Sequence, residues 1–172
     1  MEAFIIELVV LLFVVALIII ALFSRNATLD KLAEIEGEKK LLEKDGITVE
    51  ESVRGKNIQA VFRNCRVRLT NKRIIIAQST LFNKERFFLR AVINYSEKAN
   101  ENPVSAGILL KSPTLSQGFL TLNTSKDRIF VTENNKKPVL EITAPVGGGA
   151  VITEPHFWIH TDATKDFLAA IK

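Results

Sequence analysis

Six basic side chains crowd one stretch of this 172-residue chain: Arg66, Arg68, Lys72, Arg73, Lys84 and Arg86. Grouped guanidinium and ammonium groups bind phosphate or carboxylate, and beside an anionic leaflet each contributes on the order of 1 kcal/mol. The expected ligands are therefore anionic lipid headgroups or a protein partner. The opposing reading is that alternate strand positions must be polar, so that these residues are solvated or paired with Glu50, Glu51 and other acids. No nucleic-acid partner is expected, because the block lacks the aromatic platform on which single strands stack.

The other reactive residue types do not assemble into a catalytic set. His156 and His160 fall on one side of a strand with Trp158 between them. They lie too far apart along an extended chain for a tight metal site, and no cysteine or carboxylate cluster supplies further ligands. Cys65 alternates into an apolar pattern and has no neighbouring base, which reads as a buried structural thiol. Gly147-Gly148-Gly149 lacks the Lys-Ser or Lys-Thr that a phosphate-binding loop requires. The expectation is no catalytic residue, no metal and no cofactor, and an enzyme with an unrecognised site is the alternative.

Glu7 is the remaining chemical oddity. From Ala3 to Phe23 every other residue is apolar, and at 1.5 Å rise per residue such a helix is about 30 Å long, the hydrocarbon thickness of a bilayer. A carboxylate there must snorkel to the interface, be protonated or meet a neighbouring helix, so a homo-oligomer is one expected use of the span. Phe4-Ile5-Ile6-Glu7-Leu8-Val9-Val10 also resembles the start of type IV pilin-like structural subunits, a second alternative. Met1-Glu2-Ala3 is not a basic n-region and Leu22-Phe23-Ser24-Arg25 is not a small-residue cleavage site, so a retained anchor is expected over a cleaved signal. Lys and Arg are absent before the span, whereas Arg25, Lys31, Lys39 and Lys40 follow it. By the positive-inside rule the N-terminus lies outside and the rest is cytoplasmic, at the inner or plasma membrane. A lone cysteine makes no intramolecular disulfide and is compatible with that side.

Charge is strongly segregated along the chain. Residues 1–53 hold five basic and ten acidic side chains, residues 54–90 hold ten basic and one acidic, and residues 91–172 hold eight of each. Three units follow: an anchor at residues 1–25, a juxtamembrane linker helix at 26–36, and one domain at 37–172, long enough for a single core.

The elements that would position these residues are mostly strands. Thr28 is placed to cap a short helix from Leu29, ended near Gly37. Lys40 to Asp45 reads as a first strand, and Asp45-Gly46 as a turn before Ile47-Thr48-Val49. Cys65, Val67 and Leu69 alternate with Arg66, Arg68 and Thr70, then Asn71-Lys72-Arg73 turns the chain into the apolar run Ile74 to Ala77. On this pattern Arg66 and Arg68 point to solvent, and Lys72 and Arg73 extend their positive face. Further strands are expected at 86–95, 108–111, 119–123, 128–132, 139–143 and 156–160, with loops at 96–107 and around the glycine triplet. A C-terminal helix follows, capped by Thr161 or Asp162 and apolar along Phe167, Leu168 and Ile171. The fold class is mainly β: a partly open barrel of antiparallel strands, capped by that helix and preceded by one transmembrane helix.

Gly37-Glu38-Lys39, followed by Arg66-Val67-Arg68-Leu69-Thr70-Asn71-Lys72-Arg73-Ile74-Ile75-Ile76, resembles the signature of the GRAM-like and bacterial pleckstrin-homology (PH-like) families. The Phe157 to Asp162 stretch and the following helix look like the end of that fold. The resemblance covers roughly residues 37–95 and 156–172. It implies two orthogonal sheets capped by a helix, and a non-catalytic adaptor or scaffold that recognises lipid headgroups or a protein. The Gly-rich segment at 145–155 departs from a minimal version of the pattern.

Overall fold

A computed structural model describes residues 7, 10–15, 28–33, 35–52, 58, 60–79, 84–96, 104–105, 119–134, 136–148 and 151–172. Eleven strands are defined among the described residues: β1 (Lys40–Ser52), β2 (Ala60–Thr70), β3 (Arg73–Ser79), β4 (Phe87–Ser96), β5 (Val104–Ser105), β6 (Leu120–Ser125), β7 (Ile129–Asn134), β8 (Lys137–Thr143), β9 (Val146–Gly148), β10 (Val151–Thr153) and β11 (His156–His160). The C-terminal helix spans Thr164–Ile171. The chain is mainly β, and its main sheet curls into a half-barrel with the helix following the last strand.

Eight strands form that sheet in the order β6-β4-β3-β2-β1-β11-β8-β7. β6 and β7 are consecutive in sequence yet occupy opposite edges, joined only by a 3-10 turn at Lys126–Arg128. So short a link forces the two edges towards each other and curls the sheet. Thr124 Oγ1 ties this corner by donating to the carbonyl of Thr143 at 2.5 Å. The concave face collects Val49, Val67, Leu69, Ile74, Ile76, Ile93, Leu122, Leu140, Ile142, Phe157 and Ile159, and the helix adds Phe167 and Ile171. Burial of these side chains contributes roughly 1.5–3 kcal/mol each before conformational entropy is counted.

Not every pairing is antiparallel as expected. β4 and β6 run parallel, which the long connection over residues 97–119 permits, since parallel neighbours need a crossover of a dozen residues or more. The glycine-rich stretch expected as a loop contributes β9, which pairs with β10 and, in parallel, with β5 from the expected 96–107 loop, forming a separate small sheet. The strand expected at 108–111 lies outside the described residues.

The Asp45-Gly46 pair does not turn the chain. β1 is continuous through it, and pairing steps from Lys44↔Val67 to Ile47↔Cys65, so β1 carries one extra residue there. Gly46 adopts φ +71°, the left-handed conformation a β-bulge can require and glycine takes at no steric cost.

The linker helix is only a three-residue 3-10 turn, Leu29–Lys31, and the Thr28 side chain makes no capping bond. Leu29 instead packs on the outer face of the sheet against Ile75, Ala77, Phe87, Leu89 and Val92, with Leu32 and Phe119 at the margin. This second apolar layer accounts for the unbroken run from Ile74 to Ala77, because β3 is buried on both faces. Ala163 occupies the cap position of the C-terminal helix, and the Thr161 hydroxyl accepts from its N–H at 3.2 Å.

Most of the expected membrane anchor, residues 1–25, lies outside the described residues. Glu7 and residues 10–15 are helical, and all of them are exposed. Among the described residues no helix is long and apolar enough to cross a membrane.

Candidate functional site

The segregation of charge along the sequence becomes cross-strand pairing, because acidic β1 lies beside basic β2. Glu43 and Arg68 are directly opposed in register, and their side chains bond to each other. Asp45, displaced by the bulge, receives Arg66 in a two-pronged contact: Nε to Oδ1 at 2.6 Å and Nη2 to Oδ2 at 2.7 Å. That fork from Arg66 holds the Asp45 carboxyl below its ordinary range, against an opposing effect of burial. The same bond raises the Arg66 value. The Arg66 guanidinium also lies 4.0 Å from the Phe87 ring centroid, a cation–π contact on the outer layer. Both arginines stand outside the core as the alternation predicts, but each is held by an acid.

Arg73 departs from expectation. It is the first residue of β3 rather than an exposed turn residue, and it is buried. Its Nε and Nη2 reach Glu38 Oε1 and Oε2, both at 2.7 Å, and Nη2 also donates to the carbonyl of Ala33 at 2.7 Å. Each partner's side chain is only 8% exposed. Burial alone would raise the Glu38 pKa, but the bonds from Arg73, Thr70 and the Ile35 N–H together bring it below its ordinary value. The turn around Gly37 makes this possible: Glu38 N–H bonds Ile35 O at 2.8 Å, and Gly37 takes φ +70°.

The rest of the signature closes the same lock. Asn71 Oδ1 accepts from Lys39 N–H at 2.8 Å, and Asn71 Nδ2 donates to Gly37 O at 3.1 Å. Lys72 Nζ bonds the carbonyl of Glu36. Thr70 Oγ1 accepts from the N–H groups of Lys72 and Arg73 at 3.2 and 3.0 Å, which fixes the hairpin turn. Tyr95 adds its hydroxyl to Thr70 O. Gly37-Glu38 and Thr70-Asn71-Lys72-Arg73, more than thirty residues apart in sequence, are therefore two halves of one structural clamp. A hollow of about 350 Å³ beside it is lined by residues including Asp30, Glu38, Lys40, Arg68 and Arg73, with both charge signs represented.

Of the six candidate cations, the structure brings Arg66, Arg68, Lys72 and Arg73 to one hairpin and leaves Lys84 and Arg86 exposed before β4. Arg86 Cζ stands 5.2 Å from the Phe88 ring centroid. The arginines pair with other acids, and not with Glu50 or Glu51. Glu50 faces His160 and Asn134 instead, at 3.2 and 3.0 Å. Glu51 is buried at the far end of β1, where burial raises its pKa against the influence of Arg90. Register between β1 and β2 is the signal that finds the true partners, and the bulge hides it from simple alternation.

On β11 the two histidines share the outer face as expected, each beside a carboxylate from a neighbouring strand. His156 Nδ1 lies 2.8 Å from Glu141 Oε1, and the His156 ring stacks on Trp158 with centroids 5.5 Å apart. Among the described residues no group of three or more His, Cys, Asp or Glu is placed to hold a metal ion.

Cys65 lies in the core with no exposed surface, and burial pushes its thiol up to about 12. Iodoacetamide at about pH 8 should therefore leave the folded protein unlabelled and alkylate it promptly in denaturant, as read by intact mass. Rapid labelling of the folded form would contradict the burial.

Comparison with known proteins finds no matching family model, no matching curated protein and no matching solved structure.

Proposed function

We propose that this chain is a single-pass membrane protein whose cytoplasmic PH-like domain is a binding or scaffold module, not an enzyme. Support for the PH-like reading comes from the strand order. A meander of β4-β3-β2-β1 joins a second set, β11-β8-β7, where β1 pairs with β11, and a C-terminal helix packs across the concave side. The resemblance signature adds to this, since its two separated halves meet in the clamp.

The observation that carries the functional reading is the docking of the juxtamembrane segment. Thr28 bridges to Phe88 and Leu29 is buried on the sheet, so the domain begins about four residues after the apolar run ends at Phe23. Even fully extended, that link reaches at most about 18 Å. The exposed apolar helical residues 10–15 fit a lipid environment better than water. A domain on so short a tether works at the bilayer surface.

The pairing of Arg66, Arg68 and Arg73 with acids favours a protein partner over lipid headgroups, because a headgroup would have to displace carboxylates already in place. A fragment spanning residues 28–172 should accordingly co-float with anionic vesicles no more than about twofold above neutral ones at physiological ionic strength, where surface attraction decays over about 8 Å. Strong, salt-sensitive flotation would return the lipid reading to first place. Protease added to intact cells should spare the domain. Its digestion from outside would overturn the cytoplasmic placement.

A further inference from the structure

We propose that residues 28–32 form a latch that peels from the outer face of the sheet when the membrane anchor shifts, while residues 33–38 stay fixed to the domain. The two ends of this juxtamembrane strap are held differently. At its far end Ala33 O accepts from the buried Arg73 guanidinium at 2.7 Å, and the Ile35 N–H donates to Glu38 Oε2 at 3.2 Å. Pulling that end away disturbs a buried ion pair, which is costly. The near end has no such lock. Thr28 makes a single bridge to Phe88, and the Leu29–Lys31 turn closes its hydrogen bonds on itself: Lys31 N–H to Thr28 O at 3.1 Å and Leu32 N–H to Leu29 O at 3.3 Å. One 3-10 turn without a side-chain cap has little stability of its own, so Leu29 and the half-buried Leu32 hold this end by apolar contact.

That contact is not close-packed. The hollow of about 350 Å³ lies between strap and sheet, lined on one side by Leu29, Asp30 and Leu32 and on the other by residues that include Arg68, Thr70 and Ile75. Side chains bordering such a space forgo contacts on that side, unlike those of the filled core. The weak end is also the end nearest the bilayer. Four residues separate Thr28 from the apolar run that ends at Phe23, so there is little slack between anchor and bridge. A tilt or displacement of the anchor therefore acts first on Thr28 and Leu29, and the clamp at Arg73 stops the peeling before it reaches β1. Lifting Leu29 and Leu32 uncovers Ile75, which lines the hollow beneath them and is only 2% exposed when the latch is closed. Segments with few buried contacts open far more readily than the strands they cover. The inference rests on reading the chain as a tethered module, and it names how the tether acts on the domain.

Thiol labelling at position 75 reads the latch, with the core Cys65 as an internal control. The full chain carrying Ile75→Cys would be reconstituted in phosphatidylcholine vesicles and alkylated with iodoacetamide at about pH 8, both positions being followed by peptide mass. The thiol placed at 75 should react about tenfold or more faster than Cys65. Adding Leu29→Asp should speed it by about tenfold again and leave Cys65 unreacted. Oxidising a Thr28→Cys and Phe88→Cys pair, at positions that face each other across the bridge, should slow it by about tenfold. Should Ile75→Cys alter the circular dichroism spectrum, the smaller change Ala77→Cys in the same apolar layer takes its place. Vesicles of short-chain and long-chain phosphatidylcholine, which tilt the anchor differently, should give rates several-fold apart. Equal rates at the two positions, parallel acceleration of both by Leu29→Asp, or a cross-link that changes nothing would each overturn the latch. Equal rates in the two bilayers would overturn its coupling to the anchor. A chain that stays out of the vesicles would instead defeat the tethered-module reading, and the same thiol comparisons made without lipid then decide the latch alone.

Discussion

Arg73→Met is expected to destabilise the domain by roughly 3–5 kcal/mol, because it strands the Glu38 carboxylate in a site where its side chain is only 8% exposed. For a domain of this size that corresponds to a fall in Tm of about 10–15 °C. The cost comes less from losing an attraction than from leaving a buried charge without its counter-ion. Replacing both partners, Arg73→Met with Glu38→Leu, should therefore restore much of the stability, and a double-mutant cycle by thermal unfolding measures the coupling. Additive single effects would show that the clamp does not act as a unit. Because the folded Glu38 value lies below the ordinary one, its contribution is present above the unfolded carboxylate range near 4.3 and is lost as pH falls through the folded value. Arg73→Met should flatten that part of the acid limb. Lys84→Ser, at an exposed position, should change Tm by no more than a degree or two.

The same residues show what a sequence discloses and what it hides. Alternation from Cys65 to Thr70 places three side chains in the core and two arginines outside it, since the period of two is a local property of an extended chain. The last strand and the C-terminal helix are legible for the same reason, their periods being intact over whole elements. Arg73 is hidden because its environment is made by residues more than thirty positions earlier. Long-range pairing, not local pattern, turns a surface arginine into a buried one. Asp45-Gly46 misleads in a related way: a residue pair suited to a hairpin turn is equally suited to a bulge, and only the neighbouring strand decides between them. Gly147 and Gly148 join Val146 in strand β9 because β10 and β5 supply hydrogen bonds, which outweighs the low strand propensity of glycine. At the candidate site the cations are visible in the sequence and pairing with acids is one reading of them, but which acids pair is hidden. The acids sit on an adjacent strand whose register depends on the bulge.

The C-terminal helix gives the other large expected effect. Its eight residues are too few to be helical alone in water, so packing must hold it. Phe167 and Ile171, one turn apart, are both in the core, while Lys165 and Asp166 face solvent. Phe167→Ala should cost roughly 3–5 kcal/mol, the sum of lost burial and an unfilled cavity, whereas Lys165→Ala should be close to neutral. The effect should reach beyond the helix. β6 and β7 are not paired with each other, so the half-barrel stays open along that seam, and the helix packs the concave side next to β7 and β8. Loosening the helix should therefore admit water to Leu140, Ile142 and Ile159. Amide exchange in β7, β8 and β11 should accelerate in Phe167→Ala, with the outer layer around Leu29 and Ile75 responding less. Uniform acceleration across both layers would mean that the two apolar clusters unfold as one unit. Unchanged exchange in β7 and β8 would show that the strands hold their core without the helix.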